Sequence, residues 1–174
     1  MTNRNLIEQN AGLLEQVLRV LLSIGQPAYS ETQLPWASSS IGAQVRHVVE
    51  FYECLLDGLA DLHVDYNARR RDRTMETSRS AAAGRIEEIC RRLRSDARLR
   101  TNFTLWVQME DAGPGDGFLL SSVARELQAL TSHTIHHCAL IAMMLRAAGH
   151  QAPAEFGVAP STLRHWAAGG KEAA

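Results

Sequence analysis

The chain has 174 residues, of which 45% are apolar and 21% are charged, and its formal net charge at pH 7 is −1. That length suits one domain with a substantial core, and the near-zero charge excludes the basic field typical of nucleic-acid binding. No apolar run approaches the ~18 residues that cross a bilayer, and the amino-terminal segment does not have the pattern of a secretion signal. Three cysteines without a CxxC pair predict reduced thiols and a cytoplasmic protein.

The first two elements in chain order are predicted helices. Apolar residues recur at helical spacing over residues 5–23, and Gly25 and Pro27 then end the helix. Ser38, Ser39 and Ser40 are candidate N-caps for the second helix, because their hydroxyls can accept a bond from a free backbone N–H. The apolar positions of this helix predict an end near His63.

The middle of the chain changes pattern twice. Residues 64–77 are polar and rich in arginine, which predicts a long loop, and residues 78–99 have the apolar spacing of a third helix. Between 103 and 109 apolar and polar residues alternate, which is typical of a strand. The turn-forming run at 112–117 and the apolar residues 118–120 complete a predicted short hairpin.

The fourth predicted helix spans residues 122–148 and ends before Gly149, a favourable residue after a helix. Its apolar positions are spaced alternately four and three apart, and they include His137. Four amphipathic helices of this length predict an all-α four-helix bundle over residues 1–150, with the hairpin between helices three and four. The tail, residues 151–174, contains Phe156, Pro160, Leu163 and Trp166, and predicts one short docked helix.

Three histidines are the candidate functional residues. His133 and His137 are four positions apart, so both lie on one face of the fourth helix and can hold one divalent ion. His47, from the second helix, would complete a site of three nitrogens, which leaves open coordination positions as in catalytic zinc centres. His136 also shares a face with His133, so spacing leaves the choice of pair open. Hydrogen-bonded core histidines are the alternative interpretation.

Two stretches resemble a known family. Ser-Ile-Gly-Ala-Gln-Val-Arg-His at 40–47 and Leu-Thr-Ser-His-Thr-Ile-His-His at 130–137 are similar to motifs of the DinB-like superfamily of metal-binding four-helix bundles, which includes YfiT-type proteins and mycothiol-dependent maleylpyruvate isomerase. The resemblance covers roughly residues 5–150. It implies that His47, His133 and His137 are ligands of a divalent ion such as zinc or nickel, and that His136 is not. It also implies a homodimer. Several members of the family use a low-molecular-weight thiol such as bacillithiol or mycothiol.

The functional hypothesis is a metal-dependent transferase that uses a small thiol, or a hydrolase, because a bound ion lowers the pKa of a thiol or water. The alternative is a non-catalytic bundle that binds metal or engages a partner. Nucleic acid and membrane are not expected partners. Apolar residues around the first helix, including Leu13-Leu14 and Leu21-Leu22, predict a second face for a symmetric dimer.

Other polar residues have two interpretations each. The arginine-rich run at 65–73 could bind the carboxylates of an anionic thiol, or could be a solvated loop with local Arg–Asp pairs. Glu50 could orient an imidazole or face water. Glu126 could transfer protons or be structural. Cys138 follows His137 directly, and consecutive helical residues point apart, so we do not expect it to be a nucleophile.

Overall fold

A computed structural model describes residues 3–32, 39–109 and 117–170, and these are predominantly helical with one small sheet. The helices are α1 (Arg4–Ser23), α2 (Gln26–Ser30), α3 (Ile41–Gly58), α4 (Arg73–Thr77), α5 (Arg79–Ser95), α6 (Val123–Ala147) and α7 (Pro160–Ala167). The strands are β1 (His63–Asp65), β2 (Thr104–Gln108) and β3 (Leu119–Ser122). The predicted turn at 112–117 lies largely outside the described residues.

The four long helices form the body of the fold. α1 packs against α5 and α6, and α3 packs against the same two helices. Each helix buries one apolar stripe, so that side chains such as Leu14, Leu55, Leu93 and Leu127 are fully buried in one continuous core. The placement of α3 against α6 is what positions the candidate site.

Three predicted helix boundaries are confirmed, namely the starts of α3 and α6 and the end of α6, whereas the third predicted helix ends at Ser95 and not at 99. The Ser40 hydroxyl accepts a bond from the Ala43 N–H at 3.1 Å and begins α3, and Ser122 does the same at the start of α6 with Arg125. Gly149 has a φ of 77°, in the left-handed region that glycine adopts without strain, and it ends α6.

The prediction of a long loop at 64–77 was wrong. This stretch contains β1, a 3₁₀ turn at Tyr66–Ala68 and α4. Tyr66 and Met75 are both buried and anchor it to the core. α3 ends at Gly58 rather than near His63, because the chain turns back so tightly that a Cβ on Gly58 would lie 2.2 Å from the His63 carbonyl oxygen. Elements this short show no helical or strand period in a sequence.

The predicted hairpin is present and belongs to a three-stranded sheet. β2 pairs antiparallel with β3, and on its other side it pairs parallel with β1. Along β2 the buried Leu105 and Val107 alternate with Thr104 and Trp106, which are exposed. One sheet face therefore packs on the helices, as a hairpin needs for stability.

The tail contains the predicted short helix, α7, which has no buried residue. The segment before it approaches α6 closely. Phe156 is buried, and a Cβ on Gly157 would lie 2.5 Å from the Ala139 backbone nitrogen. The division into residues 1–150 and 151–174 stays a prediction.

Candidate metal centre

The structure brings the three predicted histidines together. α6 presents His133 and His137 one turn apart on the face that meets α3, and α3 presents His47. The His133 Nε2 atom lies 3.0 Å from His47 Nε2 and 3.1 Å from His137 Nε2. Each of the three residues is half-buried, and their candidate ligand atoms all lie within 4.8 Å of one another.

These nitrogen spacings fit one shared ion. Two imidazole nitrogens bound at about 2.0–2.1 Å are separated by ~2.9 Å if their bonds meet at a right angle, and by ~3.4 Å at a tetrahedral angle. The observed separations of 3.0 and 3.1 Å lie within that interval. Two of the three nitrogen pairs are therefore spaced as ligands of one ion are, and all three candidate ligand atoms lie within 4.8 Å of one another.

Gln44 orients one of the three rings. Its Oε1 atom accepts a hydrogen bond of 2.6 Å from His137 Nδ1, and its Nε2 atom donates to the Ser39 hydroxyl at 2.8 Å. A proton on His137 Nδ1 leaves the Nε2 lone pair free to bind a metal, as the outer hydrogen bonds of metal-binding histidines do. The sequence analysis missed this role of Gln44. The available signal was its position one turn before His47 on the same helix face.

Direct hydrogen bonds satisfy the three rings less well than an ion does. With Gln44 in this orientation, His137 Nε2 is an acceptor. The His133 Nε2 atom lies close to two nitrogens and, in its neutral form, is either a donor or an acceptor. As a donor it has one proton for two neighbouring nitrogens, and as an acceptor it sets its lone pair against that of His137. A metal ion accepts a lone pair from all three nitrogens at once.

The environment of His137 favours its neutral imidazole, which is the protonation state that binds a metal. Burial, reinforced by the neighbouring His133 and His136, lowers its pKa to about 4 from the ordinary 6.5. The imidazole is therefore neutral at pH 7, as metal binding requires. His136 itself is exposed and touches only the edge of the His137 ring, at a centroid distance of 5.2 Å. Its side chain is not part of the three-nitrogen cluster.

An aromatic wall closes one side of the cluster. The Phe51 ring centroid lies 4.3 Å from that of His133 and 4.9 Å from that of His47. Tyr66 stacks on Phe51, and the Arg69 guanidinium carbon lies 4.8 Å from the Phe51 ring centroid. The Phe51 ring therefore makes the surface next to His47 and His133 apolar on this side.

Two arginines of the arginine-rich segment lie beside carboxylates of α3. Arg69 is 8% exposed, and its Nε atom lies 4.0 Å from the carboxylate of buried Glu50, which also accepts the Asp72 N–H at 2.7 Å. Arg70 is exposed and pairs with Asp57. Glu50 thus fixes the segment beside the aromatic wall instead of facing water. The pair that Arg70 makes is exposed, but its acid lies on α3 and not within the segment.

Glu126 and Cys138 have structural environments. The Glu126 carboxylate is buried and accepts hydrogen bonds from the Tyr66 hydroxyl at 2.8 Å and the Ser121 hydroxyl at 2.5 Å. Both contacts support the structural interpretation of this residue. Cys138 is buried, which raises the pKa of its thiol to about 12. That thiol stays protonated and unreactive at neutral pH.

A buried polar network lies next to the cluster and links three helices. The Tyr52 hydroxyl on α3 donates to the Asn10 side chain on α1 at 2.7 Å and lies 2.9 Å from the Thr134 hydroxyl on α6. The Asn10 amide donates to the Leu127 carbonyl at 3.0 Å. All three network side chains are fully buried. Since Thr134 follows His133 directly, this network fixes α3 against α6 where the histidines meet.

The comparisons with known proteins do not show a family for this chain. No family model and no solved structure matches the chain. The chain is similar to FK506-binding protein 5 of Rhizopus delemar, with 33% identity over 104 residues that cover 59% of this chain and 27% of that protein. The chain thus spans about a quarter of that relative's length, which is too little to assign a family or an activity. No helix in the described residues is long and apolar enough to span a membrane.

Proposed function

We propose that the chain is a DinB-like four-helix bundle that binds one divalent metal ion, zinc or nickel, through the Nε2 atoms of His47, His133 and His137. One observation carries the proposal. Two helices that are far apart in sequence bring three imidazole nitrogens to spacings of 3.0 and 3.1 Å. The resemblance of residues 40–47 and 130–137 to the DinB-like motifs supports the same ligand set.

We further propose that the protein is a metal-dependent enzyme that transfers a small thiol to an electrophile or hydrolyses a substrate. A divalent ion on three protein ligands keeps open positions and lowers the pKa of a thiol or water there. Gln44 accepts a hydrogen bond from His137 Nδ1, which directs the ring, and the Phe51 ring lines one side of the cluster. The substrates would be small molecules.

The thiol of such a reaction would come from outside the chain. Burial raises the pKa of Cys54 and of Cys90 to about 11 and that of Cys138 to about 12. All three thiols are therefore protonated at neutral pH, and thiolate is the reactive form. A low-molecular-weight thiol that enters an open coordination position meets no competing protein thiolate.

Cobalt substitution tests this proposal. Thiolate bound to Co²⁺ gives a sulfur-to-cobalt charge-transfer band that nitrogen and oxygen ligands do not give. We expect a small thiol such as cysteine or glutathione to produce this band in the cobalt-loaded protein, and His47→Ala to alter it. His136→Ala is the matched control and should leave the spectrum unchanged. A cobalt-loaded protein that ignores every thiol at millimolar concentration would reject thiol transfer and leave a metal-binding module.

A further inference from the structure

A cavity of about 470 Å³ lies between the start of α1 and the segment that ends α5. Its lining residues are Arg4, Ile7 and Glu8 of α1, Arg94 of α5, and Arg100 of the 3₁₀ turn that follows α5. None of them belongs to the histidine cluster. The volume is within the range of small-molecule sites, roughly 300–1,000 Å³. Three of the five lining residues are arginines, so the cavity favours an anion.

One of the three arginines already has acidic partners. The Arg94 Nε atom lies 3.1 Å from the carboxylate of Glu8, and its Nη1 atom lies 2.6 Å from the carboxylate of Glu15. Two carboxylates therefore share one guanidinium group. Arg94 forms a fixed part of the cavity wall and has no positive charge left for a ligand.

The other two arginines have no acidic partner. Within the described residues, no carboxylate pairs with Arg4 or Arg100. Arg100 donates from Nη2 to the Arg94 carbonyl oxygen at 3.3 Å, which is a neutral acceptor. With Glu15 included, three arginines stand against two glutamates around the cavity, which leaves one positive charge. A single carboxylate would balance that charge.

Buried Asn3 holds the two unpaired arginines on adjacent segments. Its backbone N–H donates to the Arg100 carbonyl at 3.3 Å, and its side-chain amide donates to the Leu99 carbonyl at 3.0 Å. The Asn3 side chain therefore does not cap α1, whose first turn also contains no acidic residue. Two like charges on segments that are joined in this way repel each other, and an anion between them removes the repulsion.

We propose that this cavity binds a small organic carboxylate, held between the Arg4 and Arg100 guanidinium groups with its apolar part toward Ile7. A guanidinium group offers two parallel N–H donors that match the two oxygens of a carboxylate. Ile7 is 4% exposed and forms an apolar floor, and the arginine stems add further apolar surface. A doubly charged anion fits less well, because Glu8 also lines the cavity. The site does not depend on metal binding.

Nuclear magnetic resonance titration of the full chain with benzoate measures binding and locates it. Benzoate at millimolar concentration should shift the amide signals of Arg4, Ile7 and Arg100. Arg4→Gln and Arg100→Gln should each weaken binding at least ~10-fold, because each removes a charge-assisted pair of donors. Arg19→Gln is the matched control, since Arg19 is another exposed arginine of α1 that does not line the cavity. It should leave the affinity for benzoate unchanged, and circular dichroism confirms that all three variants are folded.

Two more probes test which chemistry the cavity recognises. Benzamide has the ring of benzoate without its charge and should not bind at the same concentrations. Inorganic phosphate has no apolar part and should bind more weakly than benzoate. The proposal is overturned if benzoate causes no shift at tens of millimolar, if benzamide binds equally well, or if phosphate binds more tightly. An equal loss of affinity in Arg19→Gln and Arg4→Gln would indicate unspecific charge attraction, and shifts confined to the surroundings of His133 and His137 would place benzoate on the metal. Either result would also overturn it.

Discussion

The role of Gln44 gives a quantitative prediction. Gln44→Leu removes the Oε1 acceptor that lies 2.6 Å from His137 Nδ1 and substitutes an apolar side chain of similar size. The His137 ring then loses the bond that fixes its proton on Nδ1 and directs Nε2 toward the other histidines. Loss of such an outer hydrogen bond lowers metal affinity about 10–100-fold, equivalent to ~1.4–2.8 kcal/mol. We expect a change of that size in the zinc dissociation constant, measured by competition with a chromogenic chelator.

Two further variants separate orientation from general damage. Gln44→Glu keeps an acceptor for His137 Nδ1 and should bind zinc at least as tightly as the natural protein. Ser39→Ala removes the 2.8 Å bond that supports Gln44 from behind but leaves the Gln44 Oε1 acceptor in place, so its effect should be smaller than that of Gln44→Leu. If Gln44→Leu bound zinc within twofold of the natural protein, the orienting role would be refuted.

Two other predictions concern stability and thiol reactivity. Tyr52→Phe removes two buried hydrogen bonds and should lower the free energy of unfolding by ~2–4 kcal/mol in urea titrations. Tyr66→Phe should lower the free energy of unfolding by less, since Glu126 keeps its bond from Ser121. If Tyr52→Phe lowered the free energy of unfolding by less than ~0.5 kcal/mol, the stabilising role of the network would be contradicted. Cys54, whose pKa is raised by burial to about 11 from 9.0, should react with iodoacetamide roughly 100-fold more slowly at pH 8 than an unperturbed thiol. The rate at which Cys54 reacts with iodoacetamide should rise with each pH unit toward 11. A rate at pH 8 equal to that of free cysteine would contradict the raised pKa.

The long helices could be predicted because their signals are local. α1 and α6 have apolar periodicity over five or more turns, and Ser40 and Ser122 cap their helices through hydroxyls only three residues from the N–H groups they bind. β1 could not be predicted in the same way. It is three residues long, and its partner β2 follows some forty residues later. The arginines near Tyr66 also make the segment read as solvent-exposed in the sequence, although Tyr66 and Met75 are buried and anchor it to the core.

In the candidate site, too, some features follow from local sequence patterns and others depend on how the helices pack. Helix geometry places His133 and His137 on one face of α6 but leaves His136 as an alternative partner of His133. The structure brings the Nε2 atoms of His133 and His137 to 3.1 Å. His47 is a candidate from its place in a second predicted helix, and the family resemblance implies the same ligand. Whether it meets the other two histidines depends on how α3 and α6 pack, which no local pattern encodes. The role of Gln44 was missed because its position one turn before His47 does not by itself show that its side chain bonds to His137 on another helix.

Metal content is the most direct test of the central claim, that His47, His133 and His137 hold one divalent ion. Elemental analysis of protein purified without a histidine tag should give close to one zinc or nickel per chain. His133→Ala and His137→Ala should lose most of it, His47→Ala should weaken it, and His136→Ala should retain it. Metal content unchanged in His133→Ala and His137→Ala, or a loss in His136→Ala equal to that in His137→Ala, would contradict the assignment.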